Sequence, residues 1–257
     1  AARTLWAHIM KERFGAQDER SLKLRFHTQT AGVSLTAQQP DNNVVRCTIQ
    51  ALSAILGGTQ SLHVNSKDEA LGLPTEEAVQ LSLRTQQIIA HESGIADVVD
   101  PLGGSYYVEA LTKEIETGAL EYINQIDAIG GAVAAIETGF QANEIGESAY
   151  KHQIEVDSND RIVVGVNQFS DPTPTTVDTM VIDSSAEESQ TFKLQELKKT
   201  RKSDDVSQSL HKLRIVAQGT ENLIPVIIEC AENLCTTGEI SSVLREVFGE
   251  HDPNNTF

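Results

Sequence analysis

The sequence predicts an α/β fold: the C-terminal part of a parallel (β/α)8 TIM barrel, followed by a mostly helical linker and docking arm. Helical and strand-like patterns alternate along residues 1–155, which is the order that parallel βα units produce. A closed barrel needs about 250 residues of such units, and here the alternation ends near residue 155. We therefore expect residues 1–155 to hold the last three units of the barrel and residues 156–257 to form the arm.

Apolar periodicity and capping residues define the elements of the first half. Thr75, followed by Glu76 and Glu77, is a typical helix start, Asp41 is a candidate cap for an earlier helix, and the pair Gly57–Gly58 is typical of a helix end. The predicted helices span residues 4–14, 41–56, 75–91, 108–138 with a break at 130–131, and 143–155, and the predicted strands span residues 22–30, 60–65 and 97–99.

The segment after the second strand, residues 66–74, is predicted to be a loop that leads into a short helix. Asp68 and Glu69 would lie in the first turn of that helix, where the helix dipole favours carboxylates. In the arm, the predicted strands span residues 161–166 and 176–182, and the predicted helices span residues 184–202, 205–218, 223–230 and 237–249.

Composition argues against several classes of partner. The net charge of −17 is unsuited to nucleic acid, because phosphate binding requires a basic surface. No apolar run approaches the roughly 18 residues of a membrane span, and the amphipathic N-terminus lacks the apolar centre of a signal peptide. We therefore expect a cytoplasmic protein with no nucleic-acid or membrane partner. Cys47, Cys230 and Cys235 show no zinc spacing and are expected to be buried, reduced thiols.

Two predicted strands carry polar residues on the side that a packed barrel fills with valine, isoleucine and leucine. If His27 and Gln29 point into the barrel toward its carboxyl end, the barrel encloses a polar channel suited to an extended polar ligand. The alternative is that each polar side chain ends a strand and bonds to the backbone. The polar positions are Lys23, Arg25, His27 and Gln29 on the first strand and Gln60, Ser61, His63 and Asn65 on the second.

A metal site is the main rival interpretation, since His27, His63, Asp68 and Glu69 could converge on one ion. The sequence contains no HExxH motif, no histidine pair four residues apart and no paired cysteines, so we expect no protein-bound metal. Neither a nucleophile elbow nor a phosphate-binding loop is present. The segment DPLGGSYY at residues 100–107 is interpreted as a turn at the end of a barrel strand.

Long motifs along the chain resemble the catalytic barrel chain of the methylmalonyl-CoA mutases. The isobutyryl-CoA and hydroxyisobutyryl-CoA mutases share nearly all of them, and Val64 is a departure, because threonine is common there in the family. The motifs are FHTQTAGVSLTAQQP at 26–40, GGTQSLHVNSKDEALGLP at 57–74, DPLGGSYYVEALT at 100–112, GGAVAAIETGF at 130–140, GVNQF at 165–169, QGTEN at 218–222 and REVFGE at 245–250.

This resemblance implies an isomerase, of the intramolecular-transferase type, that uses adenosylcobalamin to interconvert methylmalonyl-CoA and succinyl-CoA by a radical rearrangement. It implies that the acyl-CoA lies along the barrel axis and that the corrin covers the carboxyl end of the barrel. The residues it assigns to the cofactor are Gln29, Gly32, Asn65, Glu69, Ala70 and Leu73, with Gln29, Asn65 and Glu69 also catalytic, and those it assigns to the substrate are His27 and Gln60.

The resemblance also implies parts that we expect to lie outside this chain. These are the first five barrel units, the residues that select the acyl group, and a domain or small subunit whose histidine ligates cobalt. We accordingly expect a hetero- or homo-oligomer and no turnover by this chain alone. Two alternatives stay open: an isobutyryl-CoA or 2-hydroxyisobutyryl-CoA mutase large subunit, and a non-catalytic partner chain of a mutase heterodimer.

Overall fold

A computed structural model describes residues 1–171 and 178–250 of the chain. They belong to two compact units, Ala1–Met180 and Val181–Phe257. The described residues are mostly helical and contain a small parallel sheet. The first unit contains α1 (Ala2–Glu12), β1 (His27–Gln29), α2 (Asn42–Leu56), β2 (Ser61–His63), α3 (Glu76–Glu92), α4 (Tyr106–Ile129), α5 (Ala132–Glu137) and α6 (Phe140–Asp157), and the second contains α7 (Ser184–Thr200), α8 (Ser203–Ala217), α9 (Ile224–Glu232) and α10 (Thr237–Phe248).

The two strands form one βαβ unit, as predicted. They run parallel, with His27 opposite Ser61 and Gln29 opposite His63, and α2 makes the crossover that parallel strands require. Both strands are shorter than expected: β1 covers residues 27–29 of the predicted strand 22–30, and β2 covers residues 61–63 of the predicted strand 60–65. The expected alternation nevertheless continues beyond the pairing, because Leu22, Leu24 and Phe26 are half-buried while Lys23 and Arg25 are exposed.

Two predicted strands are not formed, and a third is absent from the part of it that the structure describes. Residues 95–97 form a 3-10 turn after Gly94, which adopts a left-handed conformation, so the expected strand at 97–99 is absent. Residues 161–166 form a loop because the Asn167 side chain bonds to three backbone groups, at Val163, Val156 and Arg161. Of the expected strand at 176–182, residues 176–177 lie outside the described part, and residues 178–182 have no regular structure.

The helices cover one face of the sheet and leave the other exposed. The buried cluster behind the sheet consists of Leu35, Cys47, Ala51, Val64 and Ile89, with Leu62 of β2 packed against it. Val64 therefore occupies the core behind the sheet. On the opposite face the side chains of His27, Gln29, Ser61 and His63 are exposed. This polar face is the one that would point inward in a barrel, as the alternation predicts.

Residues 156–171 pack against earlier residues of the same unit. Arg46 on α2 donates to the Val164 carbonyl oxygen at 2.8 Å, and the Gln39 side chain donates to the Phe169 carbonyl oxygen at 2.9 Å. The docking role expected for residues 156–257 stays a prediction, but the compact units divide after Met180. No helix in the described ranges is long and apolar enough to cross a membrane.

In the second unit, α8, α9 and α10 pack around Leu213, Val226, Cys230 and Val243. Helix α9 ends in a Schellman motif: Leu234 adopts a left-handed conformation, the Cys235 amide bonds to the Cys230 carbonyl at 2.9 Å, and the Leu234 amide bonds to the Ala231 carbonyl at 3.0 Å. Cys230 and Cys235 therefore occupy the positions whose side chains touch in this motif. All three cysteines are free thiols, as predicted; Cys47 and Cys230 are buried, whereas Cys235 is only partly buried.

The ion pair between Arg201 and Glu239 fixes the start of α10. The guanidinium group donates to Glu239 Oε2 at 2.7 Å, and the same carboxylate caps the Thr236 amide at 2.8 Å. The hydrogen bonds from Arg201, and secondarily those from Thr236, lower the pKa of Glu239 to about 2 against the opposing effect of burial. A carboxyl group with a lowered folded-state pKa stabilises the fold above its unfolded-state pKa, and this contribution is lost as the pH falls toward about 2.

We therefore expect Glu239→Gln to lower the free energy of unfolding of this unit by about 1–3 kcal/mol at pH 7. Thermal unfolding measured from pH 7 down to about 2 checks this, because the difference from wild type should shrink as Glu239 becomes protonated. Glu229→Gln is the control, since Glu229 pairs with Lys212 at the surface and should cost less than about 1 kcal/mol. Equal costs for the two variants would contradict the prediction.

Candidate functional site

The candidate site lies where the carboxyl ends of β1 and β2 meet. Two segments leave the sheet there: residues 30–40, here called the β1 loop, and residues 64–75, here called the β2 loop. Parallel neighbouring strands place both loops at one edge of the sheet, which is where the ligands of α/β proteins bind. The Thr30 amide continues the strand pairing by bonding to the His63 carbonyl at 3.0 Å, so the loops begin side by side.

Gln29 and Asn65 are held together by side-chain hydrogen bonds. Gln29 Nε2 donates to Asn65 Oδ1 at 2.9 Å, and Asn65 Nδ2 donates to the Thr30 carbonyl oxygen at 2.9 Å. The Asn65 amide in turn bonds to Thr30 Oγ1 at 2.8 Å. Asn65 is only 2% exposed, so its carboxamide mainly orients Gln29, whose side chain is open to solvent. Thr30, which the sequence did not single out, is the buried link between the two.

Gly32 and Glu69 face each other across the two loops. A Cβ atom on Gly32 would lie 3.2 Å from Asn65 Nδ2 and 3.5 Å from Glu69 Oε1, so glycine keeps this space open. The Glu69 side chain is exposed, and within the described part of the chain its carboxylate accepts no hydrogen bond. Near Gly32 and Asn65 the site therefore presents a carboxylate that has no hydrogen-bond partner among the described residues and can accept from hydroxyl groups.

The β2 loop is a series of turns, so the predicted short helix after Ser66 is wrong. Asp68 explains the difference, because its side chain is buried, 1% exposed, and is occupied on both oxygens. Ser66 Oγ donates to Oδ1, and the amide and hydroxyl of Thr75 donate to Oδ2 at 2.9 and 3.1 Å. These bonds fold the loop back onto the start of α3, where the predicted cap Thr75 is confirmed by its bond from the Ala78 amide.

The pKa of Asp68 reflects two opposing effects. Burial acts to raise it, but the hydrogen bonds from Ser66 and Thr75 together outweigh burial and hold the pKa below its usual range. Asp68 is therefore an ionised anchor directly before Glu69 in the chain. The sequence indicated a carboxylate at the start of a helix, but not that it would be buried.

His27 and Gln60 lie at the other end of the strands from Glu69. His27 Nδ1 is 2.8 Å from Ser61 Oγ, and its exposed ring lies on the same face as Gln29. The Gln60 carboxamide bonds to the backbone at both ends, accepting from the Phe26 amide at 2.8 Å and donating to the Gly58 carbonyl at 2.8 Å. Gln60 therefore behaves as the alternative interpretation described: it lies at a strand end and its side chain bonds to the backbone.

Ala70 and Leu73 are exposed along the outer part of the β2 loop. Leu73 is half exposed, and Leu71 beside it is also open to solvent. Leu71 and Leu73 therefore leave apolar surface open next to the polar site. Across the described ranges, no group of three or more histidine, cysteine, aspartate or glutamate side chains is arranged to hold a metal ion.

Asp41 does not cap α2 with its side chain, although α2 begins after it as predicted. Its backbone is helical, and its carboxylate instead binds Lys67 Nζ of the β2 loop at 3.0 Å. Asn43, on the first turn of α2, is fully buried and bonds to both loops. No sequence signal distinguished Asn43 from its neighbour Asn42, because only the tertiary arrangement brings both loops within its reach.

The comparisons with known proteins agree over nearly the whole chain. A family model described as methylmalonyl-CoA mutase matches residues 1–250. A probable mitochondrial methylmalonyl-CoA mutase of Caenorhabditis elegans is 44% identical, over 98% of this chain and 34% of its own length. A methylmalonyl-CoA mutase of Rhizobium meliloti is 43% identical, over 98% and 35%. The large subunit of a 2-hydroxyisobutanoyl-CoA mutase of Aquincola tertiaricarbonis is 42% identical, over 100% and 46%. The chain thus spans about a third to a half of the length of these relatives.

Proposed function

The chain belongs to the methylmalonyl-CoA mutase family, and from this premise we propose that it forms the cofactor-facing part of an adenosylcobalamin-dependent acyl-CoA mutase. The reaction is the carbon-skeleton rearrangement that interconverts methylmalonyl-CoA and succinyl-CoA. The chain contributes the closing βα units of a (β/α)8 barrel. The observation that carries the proposal is the convergence of Gln29, Gly32 and Glu69 at the carboxyl ends of two parallel strands.

The residues at this edge fit the adenosyl group of the cofactor. Glu69 offers a carboxylate that can accept hydrogen bonds from two vicinal ribose hydroxyls, and Gln29 offers a donor and an acceptor beside it. Gly32 leaves the space between the loops open, since a Cβ there would approach Asn65 and Glu69. Asn65 fixes Gln29 and has one further amide hydrogen for the same ribose. Ala70 and Leu73 offer the apolar surface that a corrin ring would cover.

When bound, adenosylcobalamin supplies the organic radical that starts the rearrangement. The chain's own residues bind, orient and shield. Glu69 and Gln29 would hold the ribose in one orientation relative to the polar face of the strands. The exposed polar face with His27, Gln29, Ser61 and His63 lines the side on which the acyl-CoA would lie, and His27 offers its free ring nitrogen to the thioester end. Gln60 contributes through the strand-end backbone that it holds.

Partners follow from the same proposal. The cobalt-ligating histidine comes from a cobalamin-binding domain or small subunit, which docks over the carboxyl edge of the strands and onto the arm at residues 156–257. A relative of 42% identity is named as a large subunit of a mutase, which supports assembly from more than one kind of chain.

The test is a mutase assay on the complete protein that contains this chain, with its cobalamin-binding partner and adenosylcobalamin. We expect conversion of methylmalonyl-CoA to succinyl-CoA that depends on the cofactor. The 2-hydroxyisobutyryl-CoA substrate is assayed in parallel, because the relative named for it is as similar as the methylmalonyl-CoA mutases. Conversion of that substrate alone would overturn the assignment of methylmalonyl-CoA, and turnover of neither would overturn the catalytic role.

A further inference from the structure

One buried asparagine on α2 connects the two loops that carry Gly32 and Glu69. Asn43 Nδ2 donates to the Thr36 carbonyl oxygen of the β1 loop at 2.9 Å and to the Lys67 carbonyl oxygen of the β2 loop at 2.9 Å. Lys67 lies two residues before Glu69. The carboxamide nitrogen of Asn43 therefore ties both loops to the first turn of one helix.

The hydrogen-bonding capacity of Asn43 is fully used. Its Oδ1 atom accepts from the Thr36 amide at 3.1 Å and from Arg46 Nη1 at 2.7 Å, which together with the two donated bonds makes four. The side chain is 0% exposed, so no water can replace a lost partner without rearrangement. Arg46 also donates to Thr36 Oγ1 at 3.0 Å, which holds the same turn of the β1 loop a second time.

These contacts join the loop of Gly32 to the loop of Glu69, in addition to the direct bonds between Thr30 and Asn65. The Glu69 side chain forms no hydrogen bond in the described part of the chain, so the backbone before it sets its position. Lys67 adds a further tie through its ion pair with Asp41, also at the start of α2. Residues at the start of α2 thus bond to both loops of the site.

We propose that Asn43 is a positioning residue, which keeps the β1 loop and the β2 loop at the separation that places Glu69 against the cofactor ribose. The proposal rests on the proposed function, because Asn43 acts through Glu69. Asn43 touches neither cofactor nor substrate, and its replacement should change kcat. Loss of the bridge lets the β2 loop move relative to Gly32, which weakens an interaction needed in the transition state but not in substrate binding.

The test is a double-mutant cycle in the complete protein. Asn43→Asp keeps the volume and the accepted bonds but removes both donated bonds, and Asn43→Ser is a smaller second variant should the buried charge prevent folding. We expect either variant to lower kcat about tenfold, with KM for the acyl-CoA within about twofold. Added to Glu69→Gln, the same change should cost less than about a further twofold, because both act on one contact.

Asn42→Asp is the matched control, since it is the same chemical change one residue away, and among the described residues the Asn42 side chain bonds only to that of Gln39. It should leave kcat within about twofold of wild type. If the losses from Asn43 and Glu69 multiply in full, or if Asn42→Asp costs as much, the positioning role is overturned while the proposed function stands. If Glu69→Gln leaves kcat unchanged, the role of Glu69 and the positioning through it both fail.

Discussion

Glu69→Gln in the complete protein is expected to lower kcat about tenfold to a hundredfold while KM for the acyl-CoA stays nearly unchanged. Glutamine keeps the size of the side chain but removes its charge, and a hydrogen bond to a charged group is worth about 1.5–3 kcal/mol. Lost only from the transition state, that energy corresponds to the stated decrease in rate. Steady-state kinetics at saturating cofactor measures it.

Two comparisons make this prediction specific. Asn65→Ala should act in the same direction, and the double variant should lose less than the product of the single losses, because both residues serve one ribose. Glu76→Gln is the matched control: Glu76 is an exposed carboxylate in the first turn of α3, outside the site. If Glu69 only stabilised its turn, the variant would unfold at a slightly lower temperature and retain wild-type turnover per folded molecule.

The sequence predicted those parts of the fold that local chemistry determines. Thr75 caps α3, Gly130–Gly131 separates α4 from α5, and the alternation in residues 22–30 places polar and apolar side chains on opposite faces. It overestimated the number and length of the strands, because an alternating segment becomes a strand only where it can pair with a neighbouring strand. Residues 161–166 look like a strand, yet the Asn167 side chain takes the backbone groups that a strand would share with its neighbour.

The sequence pointed to four residues of the candidate site, Gln29, Gly32, Asn65 and Glu69, but not to Thr30 and Asn43, which support them. Gln29, Gly32 and Glu69 follow from motifs, and the structure brings all three together. Asn43 could not be predicted, since its role depends on two loops that are distant from each other in the sequence. Gln60 shows the opposite case, in which a residue assigned to the substrate from the sequence uses its side chain to bond to the backbone.

Asp68→Ala is expected to lower the free energy of unfolding of the first unit by about 3–5 kcal/mol, the largest stability effect that we predict. The change removes a buried carboxylate that accepts three hydrogen bonds. It leaves the Ser66 hydroxyl and the Thr75 amide without their partner. Asp68→Asn should cost less, about 1–2 kcal/mol, because the carboxamide can still accept from the Thr75 amide while donating to Ser66. Chemical denaturation at pH 7 measures both differences.

The pH dependence separates this anchor from a simple packing effect. The pKa of Asp68 is lowered in the fold, so its ionised form stabilises the protein above the ordinary value of 3.8, and this contribution is lost as the pH falls below that value through the folded-state pKa. The difference between wild type and Asp68→Asn should therefore be constant from about pH 6 to 8 and shrink below about pH 4. A difference that stays constant or grows as the pH falls would show that the hydrogen bonds do not lower the pKa of Asp68 in the fold. In that case the hydrogen bonds that it accepts could not be what holds the β2 loop, and Glu69 with it, at the edge of the sheet.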